Sequence, residues 1–161
     1  LLPVAQDHKP ALDGDRGPMT GGMGTIAPVP WVDAALCEEV ASRIIAPTLR
    51  QLAGQGTPFR GCLFAGLMVT EDGPKVLEFN ARFGDPETEV ILPLLSEDLL
   101  PVLLACANGA LPETRIIAPD GRHAACVMIV SGGYPGECRK GLPVTGRLTH
   151  LPEQTALFHA G

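Results

Sequence analysis

The chain has 161 residues, is 45% hydrophobic with a mean hydropathy of +0.19, and carries a formal charge of −6 with a pI near 5.1. This length allows one domain or two small ones, and the composition requires a buried core and excludes wholesale disorder. The acidic balance without a basic stripe excludes nucleic acid as a partner, and no apolar run is long enough to span a membrane. An anionic ligand must therefore be held by a few local cations. Cys37, Cys62, Cys106, Cys126 and Cys138 lack Cys-x-x-Cys spacing. They read as reduced thiols of a cytoplasmic protein, not as a disulfide framework or zinc site. No signal-peptide pattern opens the sequence, which agrees with a cytoplasmic protein.

Leu1-Leu2-Pro3-Val4-Ala5 reads as the end of a strand that delivers Gln6, Asp7, His8 and Lys9. Lys9 can meet an anion and His8 can exchange a proton near neutral pH, although an ordinary polar strand exit has the same composition. Residues 13–30 form a loop rich in Gly and Pro that contains Gly17-Pro18-Met19-Thr20-Gly21-Gly22-Met23-Gly24. Glycines allow positive φ, and consecutive N–H groups can cradle an anion; a surface Ω-loop fits the composition equally well. Neither a Walker A loop nor a Rossmann fingerprint is present. Asp33 predicts the cap of a helix running to about Ala53, stopped at Gly54, with Leu36, Val40, Ile44 and Leu49 inward and a kink at Pro47.

Residues 61–80 predict a β-hairpin: a strand Cys62–Thr70, a turn Glu71–Pro74 and a return strand from Lys75. On the return strand a period of two puts Glu78, Asn80 and Arg82 on one face, with Leu77, Phe79 and Ala81 packed on the other. A carboxylate and an amide oxygen suit Mg²⁺, and a neighbouring guanidinium suits a carboxylate or phosphate, as phosphoryl transfer requires. The spacing is short, and a solvated strand face beside a core-facing Leu/Phe pair also satisfies it. Asp85 and Pro86 read as cap and first residue of a helix, with Glu87 and Glu89 in its first turn. Ser96 predicts the cap of a second helix reaching Asn108-Gly109, with Leu99, Val102, Leu103 and Cys106 inward. Pro112–Gly121 is the candidate domain boundary. Beyond it come strands at His123–Ser131, Gly146–Leu151 and Ala156–His159 and a turn at Gly132–Gly136, with no catalytic constellation.

The string Leu77-Glu78-Phe79-Asn80-Ala81-Arg82-Phe83-Gly84-Asp85-Pro86-Glu87-Thr88 closely resembles the signature of the phosphoribosylamine–glycine ligase family, also called glycinamide ribonucleotide synthetases. Gln6-Asp7-His8-Lys9, Gly17 through Gly24 and Phe64-Ala65-Gly66-Leu67-Met68 look like the same family, and the likeness runs from about Leu2 to the last residue in the family's order. The resemblance implies an α+β fold: residues 1–111 as the C-terminal part of an ATP-grasp domain, an antiparallel sheet with helices, and 112–161 as the truncated start of a small β-rich C-terminal domain. It implies a piece of a longer enzyme that joins glycine to 5-phosphoribosylamine as ATP becomes ADP and phosphate. Glu78 and Asn80 would hold Mg²⁺ or Mn²⁺, and Arg82 would be catalytic. Asp7, His8, Lys9, Thr20, Gly21, Gly22, Asp85 and Glu87 would meet substrates. The chain departs from the family's common form at Pro10, where a basic residue is usual, and at Met19, where Asn is usual. Many ATP-grasp enzymes carry a further metal-binding acid on the first hairpin strand, and Leu67, Met68 and Val69 supply none. Two other readings stay open: a related ATP-grasp ligase that uses bicarbonate, and a non-catalytic nucleotide-binding module.

Overall fold

In the computed structural model, which describes residues 1–111, 121–146 and 150–160, strands far apart in sequence form one antiparallel sheet. Its order is β1 (Gln6–Asp7), β4 (Gly24–Ala27), β7 (Ala124–Val127). Gln6 and Asp7 pair with Ile26 and Thr25, and Gly24–Ala27 pair on their other side with Val127–Ala124. The strand expected over Leu1–Ala5 begins only at Gln6, the first residue that finds a ladder partner on β4.

The Gly/Pro-rich stretch is more ordered than its composition suggests. It contains the second strand of a hairpin, β2 (Pro10–Leu12) against β3 (Arg16–Met19), and all of β4. Gly14 and Asp15 turn this hairpin with φ of 70° and 53°, a conformation that Gly and Asp tolerate best.

Asp33 caps its helix as its sequence position implies, with Oδ1 accepting the Leu36 N–H at 2.8 Å. The helix runs as α1 (Ala34–Val40), a π-helical turn (Ala41–Ile45) and α2 (Ala46–Gly54). Pro47 has no N–H and its ring crowds the preceding turn, and the chain widens just ahead of it, with Ala46 N–H donating to Ala41 O. Leu36, Val40, Ile44 and Leu49 are half-buried.

The second hairpin is β5 (Phe64–Thr70) with β6 (Gly73–Asn80), closed by Glu71-Asp72 alone, so Gly73 and Pro74 belong to the strand. Gly66 pairs with Glu78 but Leu67 with Val76, leaving Leu77 as the extra residue of a bulge. The apolar face was expected to be packed, yet Leu77 is 63% and Phe79 39% exposed. The hairpin is a two-stranded sheet, and the described residues add no third strand to it.

After the hairpin come α3 (Thr88–Ile91), a 3-10 turn (Leu92–Leu94) and α4 (Leu99–Ala107). Two expectations are corrected here. Asp98, not Ser96, caps α4, its Oδ1 accepting the Leu100 N–H at 2.9 Å. Leu103 is exposed; α4 is apolar on nearly every side, so spacing could not select its inward face. The core lies where α3 and the turn after it meet the sheet: Ala27, Val90 and Leu94, with Ala5, Ile91, Ala124 and Cys126 around them. The structure is thus α+β. Residues 112–120 of the expected boundary, and 147–149 of the expected strand at Gly146–Leu151, lie outside the described residues. The strand expected over His123–Ser131 is confined to β7, the turn at Gly132–Gly136 forms, and Ala156–His159 is exposed and extends no sheet. Among the described residues no helix is long and apolar enough to cross a membrane.

Candidate active site

A cleft of about 400 Å³ is lined by Lys9, Thr20, Gly21, Leu77, Glu78 and Arg82. It joins the end of β1 and the glycine-rich loop to the bulged arm of the second hairpin. The extended chain past β1 alternates its side chains, so Asp7 and Lys9 work together while His8 does not join them. The His8 main chain instead continues the ladder, its N–H donating to Gly24 O and its carbonyl accepting from Met23 N–H, both at 2.9 Å. Its Nδ1 stands 3.9 Å from Asp15 Oδ1, and the ring does not line the cleft.

Lys9 Nζ lies 2.9 Å from Asp7 Oδ2 and donates to Gly21 O at 3.2 Å. The Asp7 side chain is only 8% exposed, and its Oδ1 has no hydrogen-bond partner. Burial opposes the Lys9 charge, but the Asp7 hydrogen bond and the fields of Asp7, Glu87 and Glu78 outweigh it and raise the ammonium above its ordinary pKa. Thr20 is tied to Lys9 twice, its N–H and hydroxyl both donating to Lys9 O, at 2.9 and 2.7 Å. Gly22 N–H donates to Thr20 Oγ1 at 3.0 Å, and Gly21 N–H to Tyr134 Oη at 3.2 Å. The loop amides are therefore committed inside the protein and leave no open anion nest. Gly22 has φ of 145°, and a Cβ there would overlap Pro86 Cδ and come within 2.8 Å of Asp7 Oδ1. Only glycine lets the loop pass this close to the buried carboxylate.

On the hairpin side, Glu78 lies across its strand partner Gly66, where a Cβ would stand 3.1 Å from Glu78 Cγ. Arg82 lies beyond the end of β6, its Nη1 donating to Phe83 O at 2.8 Å, yet it reaches the same cleft as Glu78. Asn80 is half-buried and outside the lining, and its Nδ2 is buried without a partner. The three alternate residues therefore split: Glu78 and Arg82 face the cleft, and Asn80 sits beside it.

Asp85 does not cap α3. It is exposed, its peptide bond to Pro86 is cis, and the helix starts at Thr88. The buried Pro86 is instead held to β4, its carbonyl accepting from Thr25 Oγ1 at 2.8 Å, and Thr88 N–H closes a turn onto Gly84 O at 3.2 Å. That turn sinks Glu87 to 6% exposure. Burial pushes the Glu87 carboxyl up; Asp7 adds to the rise, while the residue's own backbone N–H, Lys9 and Arg82 oppose it without cancelling it. Glu87 is thus electrostatically joined to the Asp7–Lys9 pair and to Arg82. Tyr134, the chain's single tyrosine, carried no sequence expectation; its setting in Gly132-Gly133-Tyr134-Pro135-Gly136 was the available signal.

The oxygen donors suit a hard divalent cation. Among the described residues no group of three His, Cys, Asp or Glu side chains is placed to hold a metal ion, and the candidate donors on the hairpin are Glu78 and Asn80. The Asn80 amide has an orphaned buried end beside a carboxylate strand-mate, and a half-turn of that amide exchanges its nitrogen for oxygen. One carboxylate and one amide oxygen leave the rest of an octahedral shell to water and substrate phosphates, a common arrangement for Mg²⁺. The residues present fit such an ion.

The profile of the phosphoribosylglycinamide synthetase ATP-grasp (A) domain matches residues 1–88, more than half of the chain. A hairpin whose Glu78 and Arg82 face a glycine-rich loop across one cleft, together with this match, places the chain among ATP-grasp proteins. The phosphoribosylamine–glycine ligase of Rhodopirellula baltica is 48% identical over 99% of this chain and 37% of its own length. A bifunctional purine biosynthetic protein of Schizosaccharomyces pombe is 49% identical over 99% of this chain and 20% of its own. The crystal structure of the Thermotoga maritima phosphoribosylamine–glycine ligase superposes with a TM-score of 0.74 at 36% identity, covering 86% of this chain and 34% of that one. The chain belongs to the phosphoribosylglycinamide synthetase family, and it spans between a fifth and under two fifths of these relatives' lengths.

Proposed function

We propose that the complete protein is a cytoplasmic, ATP-dependent ligase of purine biosynthesis that joins glycine to 5-phosphoribosylamine, giving glycinamide ribonucleotide, ADP and phosphate. The observation that carries this reading is the meeting of Lys9, Thr20 and Gly21 with Glu78 and Arg82 around one cleft. In the reaction, a glycine carboxylate oxygen attacks the γ-phosphorus of ATP and ADP leaves. The amine of phosphoribosylamine then attacks the carbonyl of the resulting glycyl phosphate, inorganic phosphate departs, and the amine gives up a proton. Glu78 and Asn80 would hold Mg²⁺ or Mn²⁺, which when bound would neutralise charge on the ATP phosphates.

Arg82 steadies the carboxylate or the transferring phosphoryl oxygens with a planar, permanently charged fork. Lys9, set by Asp7 and Gly21, meets the anionic end of a substrate, with one ammonium hydrogen left for it. The carboxylates of Asp7 and Glu87, buried behind the cleft wall, balance that cation. Thr20, Gly21 and Gly22 form the wall, contributing position rather than free amides. The exposed Asp85 and the outward His8 stand apart from this set. Residues 112–161 begin the C-terminal domain, which would close the site against water.

The test is phosphate release by the complete enzyme with Mg·ATP, phosphoribosylamine and either glycine or bicarbonate. Turnover is expected with glycine alone, and Glu78→Ala is expected to lower it at least about a hundredfold with an unchanged circular dichroism spectrum. Release driven by bicarbonate would move the protein to a related ligase. Full activity in Glu78→Ala would remove the metal assignment.

A further inference from the structure

Tyr134 lies more than a hundred residues from the glycine-rich loop in sequence, yet its Oη accepts the Gly21 N–H at 3.2 Å. The carbonyl of the same glycine accepts from Lys9 Nζ at 3.2 Å, and Lys9 is bound on its other side to Asp7 at 2.9 Å. Gly21 carries no side chain that could fix it, and it is exposed. The neighbouring amides are anchored locally, Thr20 to Lys9 O and Gly22 to Thr20 Oγ1. Gly21 N–H is held from a remote segment, so the Tyr134 hydroxyl fixes the peptide unit entering Gly21, while the unit leaving it, which carries the carbonyl facing Lys9, is held by Gly22 N–H on Thr20 Oγ1; the two bonds together set the backbone at Gly21. The tyrosine itself is placed by its turn, in which its N–H donates to Ser131 O at 3.2 Å and Gly136 N–H to Gly133 O at 2.8 Å.

From this chain of contacts we infer that Tyr134 is a positioning residue of the cleft: by clamping Gly21 it aims the Lys9 ammonium at the anionic substrate. The inference rests on the reading of Lys9 given above. A clamp of this kind acts on ligand affinity through pre-organisation, and it is silent once the cation is gone. The hydroxyl is the group at issue, and Tyr134→Phe removes it while keeping the ring. One neutral hydrogen bond is lost, so the expected effect on affinity is about three- to tenfold.

The experiment is a double-mutant cycle in the complete enzyme, read by calorimetric titration with glycinamide ribonucleotide, the stable phosphate-bearing product. The second arm neutralises the ion pair as a unit, Asp7→Asn with Lys9→Met, so that no buried carboxylate is stranded. Support requires that Tyr134→Phe weaken binding by that factor at an unchanged melting temperature, and that it change nothing in the neutralised background. An equal loss in both backgrounds overturns the inference, because the hydroxyl then acts without Lys9. If the neutralised pair binds weakly but Tyr134→Phe binds like wild type, this inference alone is overturned. If neutralising the pair leaves affinity intact, the reading of Lys9 fails and takes the clamp with it.

Discussion

Lys9 and Asp7 form a half-buried pair whose two ends are unequally solvated, since the lysine side chain is 38% exposed and the aspartate 8%. Removing the cation strands a carboxylate that already has one unpartnered oxygen. Lys9→Met is therefore expected to destabilise the fold by about 1–3 kcal/mol, and adding Asp7→Asn should recover most of it. Urea denaturation of both variants measures this, and a double variant no better than the single would refute it. Glu87 gives a pH-dependent counterpart. Its carboxyl is raised by burial in the folded state, so protonation favours folding below the ordinary glutamate pKa, and that advantage fades as pH climbs through the raised value. Glu87→Gln has no such proton to lose. As pH rises from the ordinary glutamate pKa through the raised one, wild type should lose stability relative to this variant, as paired urea midpoints would record. Parallel curves would remove the raised carboxyl from the account.

At the scale of elements, the cleft depends on two close approaches at glycines, one of which no other residue could make. Gly22 passes Asp7 and Pro86 with a positive φ, so Gly22→Ala adds both strain and a clash. A loss of about 2–4 kcal/mol is expected, visible as a lower melting temperature. Gly66 is different: its φ is ordinary, and its added Cβ would crowd the flexible Glu78 side chain and make an ordinary van der Waals contact with the Phe64 ring. Gly66→Ala should leave stability within about 1 kcal/mol of wild type but displace the carboxylate, lowering turnover of the complete enzyme and its apparent affinity for Mg²⁺. A variant with lowered stability and unaltered Mg²⁺ dependence would contradict this. The bulge at Leu77 belongs to the same arrangement. It returns Glu78 to register with Gly66 and turns an apolar residue outward into the cleft lining.

At the scale of the whole molecule, the buried core forms where α3 meets the sheet. The buried cluster joins Ala27 of β4 to Val90 and Leu94 of the continuous α3 and 3-10 stretch, and Thr25 Oγ1 fastens Pro86 to the sheet. Val90→Ala should cost about 1–3 kcal/mol and loosen the sheet together with the Glu87 turn, because one cluster supports both. Amide hydrogen exchange should then rise in β4 and α3 together; a rise confined to α3 would separate them. The apolar face of the second hairpin, with Leu77 and Phe79 exposed, takes no part in this core.

Local chemistry was sufficient for much of this. The Asp33 cap, the hairpin at residues 64–80 and the placing of Glu78 and Arg82 on one cleft all follow from capping, alternation and residue type, which act over a few neighbours. The failures lie where remote contacts overrule local preference. Asp85-Pro86 is a sound helix start by composition, but Thr25 captures the Pro86 carbonyl and the helix opens later. The loop amides resemble an anion nest until Lys9, Thr20 and Tyr134 are seen to occupy them. β4 is hidden in a glycine-rich stretch because its partners, β1 and β7, flank it only after folding. Residue types and short periods are properties of the chain itself. Which carboxylate is buried, which amide is already bonded and which side chain from over a hundred residues away closes the loop depend on tertiary packing, because desolvation and hydrogen bonding are set by spatial neighbours rather than by sequence neighbours.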